Sequence, residues 1–141
     1  MTTESGEYRK PLPNLEDPLY APFWAAAREH RLVMQRCTEC GHVRWPANPA
    51  CTECLATDHE WADLSGRGEL FSWTTFHQRY HPEWANEAPY NVSMVKLAEG
   101  PVMLSNVTDV ADADLAIGIA LEVWFDDVTD EVSIPKFRRP G

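Results

Sequence analysis

The chain has 141 residues, enough for one ordinary domain or for a small module attached to a modest one. Its composition, 44% hydrophobic and 24% charged, is that of a globular protein, and no stretch approaches the run of about 18 apolar residues that spans a membrane. The net charge of −10 is unevenly spread: between Lys96 and Lys136 stand nine acidic residues and no Lys or Arg. That argues against a nucleic-acid partner, because such affinity rests on phosphate neutralisation by basic side chains.

In chain order, residues 1–33 read as an arm followed by a helix. The first ten residues are polar and lack the apolar core of a signal peptide. They place the protein in the cytoplasm, where free thiols and metal thiolates survive. Residues 18–31 are expected to be helical, with Asp17 as N-cap and Pro18 and Pro22 confined to the first turn. Tyr20, Phe23, Trp24 and Ala27 recur at the three-and-four spacing of one apolar face. Two readings stand for that face: it packs on the chain's own domain, or it docks on a partner.

Residues 34–66 form the cysteine module, entered by a short strand at 32–35. Cys37 and Cys40 make one CxxC, Cys51 and Cys54 a second, with ten residues between them. Each CxxC curls so that two sulfurs converge while backbone N–H groups face the thiolates. Two such knuckles supply a tetrahedral set for Zn²⁺ at about 2.3 Å, with no open position for water or substrate. A metal held this way is structural. Rubredoxin-like iron and a pair of disulfides are the alternatives, the latter disfavoured by compartment and spacing. Gly41, after Cys40, suits the positive φ of a knuckle; Leu55 holds the equivalent place after Cys54.

Residues 67–141 carry a β pattern. Strands are expected at 70–77, 90–97, 102–108, 121–125 and 131–137, with one helical turn at 109–115 before the fourth. Pro135 restricts the last strand to an edge or an end. Five short strands with a break before the fourth suit a Greek-key barrel of the OB type, and a sandwich fragment is the runner-up. The fold class is therefore mostly β: an N-terminal helix, a four-cysteine zinc ribbon, then a five-stranded OB-type barrel. Phe71 and Trp73 are expected in its core.

The segment between the first two barrel strands gathers His77, Tyr80, His81, Trp84 and Tyr90. An aromatic loop is a contact surface for a partner or a substrate tunnel. His77 and His81 could carry protons, but they lack a carboxylate orienter in sequence, and solvated loop histidines are commoner. No glycine-rich phosphate loop, G-x-S-x-G elbow or HExxH occurs. With all four cysteines committed to metal, no thiol is left as a nucleophile, and no catalytic residue is assigned.

Phe23-Trp24, the run from Leu32 to Cys37, Cys40-Gly41, Arg44-Trp45-Pro46, Cys51 and Cys54 resemble a family in which a rubredoxin-like zinc ribbon is joined to an acyl-CoA-associated OB-fold. The likeness continues through Gly66-x-Gly68, Pro89-Tyr90, 95–100, Ile117-Gly118, Val123, Phe125 and Pro135-x-Phe137-Arg138. The resemblance implies a non-catalytic accessory subunit of a thiolase-fold enzyme, a thiolase or a lipid-transfer-type retro-aldolase. Such an enzyme acts on acyl-CoA thioesters in steroid or aromatic side-chain degradation. Hydroxymethylglutaryl-CoA synthase and MaoC-type enoyl-CoA hydratases are further partners of the family. A two-plus-two heterotetramer follows from the symmetry of thiolase dimers, and Phe23 and Trp24 become partner contacts.

Two departures stand out: Pro46-Ala47-Asn48 replaces the family's Pro-Pro-Arg, and Leu55 replaces a glycine. Two other functions remain in competition. One is a single-stranded nucleic-acid module, which would need a basic groove. The other is a stand-alone acyl-CoA-binding protein, which would need Arg36, Arg44, Arg67, Arg79 and Lys96, or the cluster Lys136, Arg138 and Arg139, to form a basic patch.

Overall fold

In a computed structural model of the chain, residues 10–77 and 90–141 are described. Helix α1 spans Ala21–Arg28, shorter than the 18–31 expected. Asp17 does not cap it. The Asp17 carboxylate instead accepts the Leu19 N–H at 3.0 Å, and its carbonyl accepts those of Tyr20 and Ala21. These bonds make a separate turn before the helix.

At the other end His30 takes φ +61°. Its N–H donates to the Ala27 carbonyl, and that of Arg31 to Ala26. This is a Schellman stop, built on histidine where glycine is usual. The strained backbone is fixed by the ring, which stacks on Phe125 with centroids 5.4 Å apart. Its Nε2 donates to Asp127 Oδ1 at 2.8 Å, and Ser133 Oγ donates to the same oxygen.

A three-stranded antiparallel sheet, ordered β2-β1-β3, forms the ribbon. Its strands are β1 (Val33–Cys37), β2 (Val43–Arg44) and β3 (His59–Asp63). β3 is a strand that polar spacing hides. The second sheet runs β6-β5-β4-β7-β8, from β4 (Arg67–Phe76), β5 (Tyr90–Leu97), β6 (Val102–Ser105), β7 (Ala120–Asp127) and β8 (Ser133–Arg138). A 3-10 turn at Asp112–Asp114 stands where the helical turn was expected. A parallel bridge between Val107 and Phe137 joins the two ends, giving the nearly closed OB barrel rather than a sandwich.

Two glycines permit this curvature. A Cβ on Gly66 would collide with Val123, and one on Gly68 would lie 2.6 Å from the Lys96 carbonyl oxygen. β6 ends earlier than expected because the buried Asn91 amide takes both backbone groups of Val107, at 2.9 and 2.8 Å. A shift of register between Leu70 and Ser72 puts Phe71 in a β-bulge. Phe71 is consequently 48% exposed, contrary to the core position expected for it, whereas Trp73 packs against the core.

The core is continuous across ribbon and barrel. Phe23 from the helix, Leu32 just before β1 and Met34 on β1 meet Leu70, Val95, Leu97, Leu121 and Phe137 from the barrel. Of the two readings for the aromatic helix face, packing on the chain's own core therefore describes Phe23. Trp24 lies at the rim of that core, half-buried.

Candidate metal centre

The two CxxC knuckles are near copies of one another. In the first, Gly41 N–H donates to the Cys37 carbonyl at 2.9 Å, and Cys37 N–H to His42. In the second, Leu55 N–H donates to Cys51, also at 2.9 Å, and Cys51 N–H to Ala56. The residue after the second cysteine has φ +78° at Gly41 and +68° at Leu55. The knuckle fold, then, requires the left-handed conformation in both copies and obtains it from leucine in one.

The four sulfurs lie within 4.8 Å of one another, with Cys37 and Cys54 at 3.6 Å and Cys40 and Cys51 likewise. Four sulfurs at about 2.3 Å from one tetrahedral ion would stand roughly 3.8 Å apart. The set therefore fits a single metal ion, and the cysteines are positioned to bind one. Cys37 and Cys51 are buried, Cys40 and Cys54 exposed.

Without metal, the four thiols divide in acidity. The Cys54 N–H, helped by that of Glu53, pulls Cys51 down to about 6. The Cys40 and Glu39 amides lower Cys37 in the same way. Cys54 receives the Ala56 N–H, but its hydrogen bond with Cys37, burial and the other sulfurs outweigh this and push it up to about 12. Cys40 is raised too: burial and the Cys51 sulfur outweigh the His42 N–H. One knuckle position is thus ready to ionise and its mate resists, a conflict that a divalent cation at the centre removes.

Behind the thiolates the ribbon buries polar groups. Gln35 Oε1 accepts the Asn48 N–H at 2.8 Å, and Arg44, opposite Gln35 in the ladder, donates from Nε and Nη2 to the Asn48 carbonyl at 3.3 and 2.9 Å. Asn48 is held by its backbone on both sides. Neither the burial of Gln35 nor that of Arg44 was visible in sequence, where polar residues beside cysteines read as surface.

The other residues singled out from sequence fall in several places. Tyr80, His81 and Trp84 lie outside the described residues. His77 is exposed just beyond β4, and Tyr90, at the start of β5, sets its ring edge-on to Phe76 at 5.5 Å. Phe23 and Tyr20 pack on Trp45, at 4.7 and 5.8 Å, locking the helix to the ribbon. Tyr20, Trp24, Trp45, Leu104, Ile134 and Pro135 line an apolar groove of about 320 Å³. This groove is the barrel seam. Pro135 has no N–H to continue the parallel ladder begun by Phe137, so β8 parts from β6 there, and Ser105 Oγ alone reaches the Pro135 carbonyl.

The expected basic patch is divided. Arg36 pairs with Glu60, Lys136 with Asp126 and Arg138 with Glu122. Arg44 is buried in the ribbon, Arg67 and Lys96 share a small cleft on the barrel, and Arg79 lies outside the described residues. No described helix is long and apolar enough to cross a membrane.

A four-thiolate ribbon in series with an OB-type barrel defines a class of two-module metal-ribbon proteins. Residues 24–60 match the model of the ChsH2 rubredoxin-like zinc ribbon domain, and residues 61–126 that of the ChsH2 C-terminal OB-fold domain. The chain is 34% identical over 103 residues to a DUF35 domain-containing scaffold protein of Pyrococcus furiosus, covering 72% of this chain and 74% of that one. It belongs to this DUF35, ChsH2-type family.

It is also 34% identical over 117 residues to a probable enoyl-CoA hydratase alpha subunit of Thermomonospora curvata. To the 3-oxo-4,17-pregnadiene-20-carboxyl-CoA hydratase alpha subunit of Mycobacterium tuberculosis it is 30% identical over 108 residues. These matches cover 82% and 77% of this chain, but only 36% and 34% of those proteins, so the chain spans about a third of their length. Among solved structures it superposes on a chain of an Ltp2-ChsH2(DUF35) aldolase with a TM-score of 0.81 and 32% identity, covering 92% of this chain and 98% of that one.

Proposed function

We propose that this chain is a non-catalytic accessory subunit that holds one structural Zn²⁺ through Cys37, Cys40, Cys51 and Cys54. It assembles with a thiolase-fold or lipid-transfer-type subunit that works on acyl-CoA thioesters. The observation that carries the reading is the end-to-end likeness to one chain of the Ltp2-ChsH2(DUF35) aldolase. The arrangement of groups is consistent with it. Among the described residues the four thiols are placed so that one ion would use them all and keep no open position, and His77 stands exposed with no carboxylate bonded to it. The chemistry then belongs to the partner.

In this reading Trp24, at the mouth of the apolar seam, faces the partner. The segment from His77 to Tyr90, with Tyr80, His81 and Trp84, borders the tunnel that holds the acyl group. Zinc is favoured over iron because it suits four thiolates without redox chemistry. The assembly is a two-plus-two heterotetramer in the cytoplasm, and steroid or aromatic side-chain degradation is its setting; the name of the Mycobacterium relative, a hydratase subunit for a pregnadiene-carboxyl-CoA, supports the steroid arm.

The test is co-expression with a thiolase-fold protein from the same genome, followed by size exclusion with light scattering and metal analysis. Co-elution in equal numbers with one zinc per copy is expected, and Trp24→Ala should weaken the complex without releasing zinc. A zinc-loaded chain that elutes alone would sink the reading. The hydratase relatives favour a second assembly, with an enoyl-CoA hydratase subunit instead; the identity of the co-eluting partner decides between them.

A further inference from the structure

Arg44 is the one buried cation among the described residues, 3% exposed. Its guanidinium is half used. The Nε–Nη2 edge is bound by the Asn48 carbonyl, while Nη1 is the one buried side-chain nitrogen or oxygen there without a hydrogen-bond partner. Nor does any described carboxylate form an ion pair with it, although the chain carries 22 acidic residues and 12 basic ones. The exposed Arg31, Arg36 and Arg138 all find acids. A buried charge is normally paired, and an unsatisfied buried donor is penalised. Once a divalent ion is bound, the four thiolates carry a net negative charge and supply Arg44 with a diffuse counter-charge, but they give Nη1 no acceptor, and that unfilled donor points outward, to something the chain binds.

Arg44 also lines the cleft between the ribbon and the β5–β6 turn, a cavity of about 560 Å³ shared with His42, Asn48, Thr52, Glu99 and Gly100. We infer that this cleft is a binding site for a small carboxylate, which takes the free end of the Arg44 guanidinium in the two-pronged fashion that guanidinium favours. Nη1 is covered in the ligand-free chain. The anion must therefore draw the group toward the cavity, and the Asn48 carbonyl on the opposite edge is the pivot that keeps it aligned. Glu99 sets the charge of the ligand. Its carboxylate is held in the lining by the Ser65 N–H at 2.8 Å, and a fixed negative charge in the same cleft penalises a dianion more than a monoanion. A carboxylate is therefore preferred to a phosphate. The site does not depend on the accessory-subunit reading.

The test uses the metal-loaded full chain with ¹⁵N-labelled arginine. It is titrated at pH 8 with sodium acetate, with inorganic phosphate and with sodium chloride at matched ionic strength, following the Arg44 Nε–H resonance. Acetate should shift that resonance saturably, phosphate should be the weaker, and chloride should leave it in place. Arg44→Met keeps the bulk but not the fork, and should abolish saturable acetate binding as read by thermal shift. Should Arg44→Met fail to fold, Glu99→Gln still decides the matter. It keeps an acceptor for Ser65 and should tighten acetate on the order of threefold by removing the repelling charge. A linear acetate response, phosphate binding tighter than acetate, or no change on Glu99→Gln would overturn the assignment.

Discussion

The barrel interior is built on Phe137, Leu70, Val95, Leu97 and Leu121, whereas the ribbon gathers four sulfurs, two of them buried, and buries a glutamine and an arginine beside a few mostly small apolar side chains. Both modules must offset the entropy of ordering their chains. The barrel does so by removing apolar surface from water, which is non-directional and tolerant. The ribbon, some thirty residues long, is too small for that; its cysteines are positioned to hold one ion, and directed bonds tie it to the Asn48 backbone. The two meet at Leu32 and Met34, just before and on β1, and at Phe23 on α1, where the apolar side of the ribbon joins the barrel core. The difference teaches that this chain has one hydrophobic core and, beside it, one metal-organised appendage, with unequal sensitivities to chemistry.

The largest effect should come from the metal. Chelation, or Cys51→Ser, is expected to abolish the ribbon fold and to lower the melting temperature of the barrel through the lost Met34 and Leu32 contacts, as circular dichroism and heat-capacity scans would show. Because bound thiolates must be free of protons, the metal should also be released as pH falls, with affinity rising again as pH rises. A chelated chain with an unchanged spectrum and melting curve would erase the distinction between the modules.

Phe137→Ala attacks the other side. Phe137 is fully buried and carries the bridge that closes the barrel, so the loss should be about 3–5 kcal/mol, read from a urea midpoint. The variant should still bind its metal. A Phe137→Ala chain that lost metal in proportion to stability would mean that the two modules fold as one unit.

The same division governs what could be read beforehand. β5 falls on residues 90–97 as expected, and the last strand, at Ser133–Arg138, overlaps most of the 131–137 expected, because period-two apolar spacing is a local signal. The metal set was equally legible, since the spacing of four cysteines is nearly the geometry itself. β3 was not legible: His59-Glu60-Trp61-Ala62-Asp63 has polar ends, and its pairing with β1 is set by tertiary contact. The seam groove, the burial of Arg44 and the His30–Asp127 contact each join residues far apart in sequence, for which no local spacing exists.

That His30–Asp127 contact ties α1 to β7 and gives a smaller, acid-sensitive test. The Ser133 hydroxyl, and after it His30, hold the Asp127 carboxyl below the usual range. The contact therefore stabilises fully above about pH 3.9, the ordinary carboxyl value, and is lost as pH falls through the depressed one. With both side chains more than half exposed, the effect on stability should stay under about 1 kcal/mol. Following the Asp127 carboxyl carbon by NMR, Ser133→Ala should move its titration up further than His30→Ala does. The reverse order would show that the histidine, not the serine, sets this joint.

An effect of similar size, with opposite signs in its two variants, lies inside the ribbon, between its two knuckles. Gly41 and Leu55 occupy the same left-handed position, yet a Cβ on Gly41 would meet nothing within 4 Å, so backbone strain alone separates glycine from other residues there. Gly41→Ala should destabilise the metal-loaded chain by about 1 kcal/mol, and Leu55→Gly should stabilise it by a similar or smaller amount, because glycine's greater freedom when unfolded offsets part of the gain. Leu55 is 77% exposed and so loses little packing. Urea midpoints of the two variants check the opposite signs. If Leu55→Gly instead destabilises, the leucine makes a contact within the ribbon that outweighs its strain. If it stabilises the free chain but weakens co-elution with a partner subunit, the strain at the second knuckle is retained for that interface.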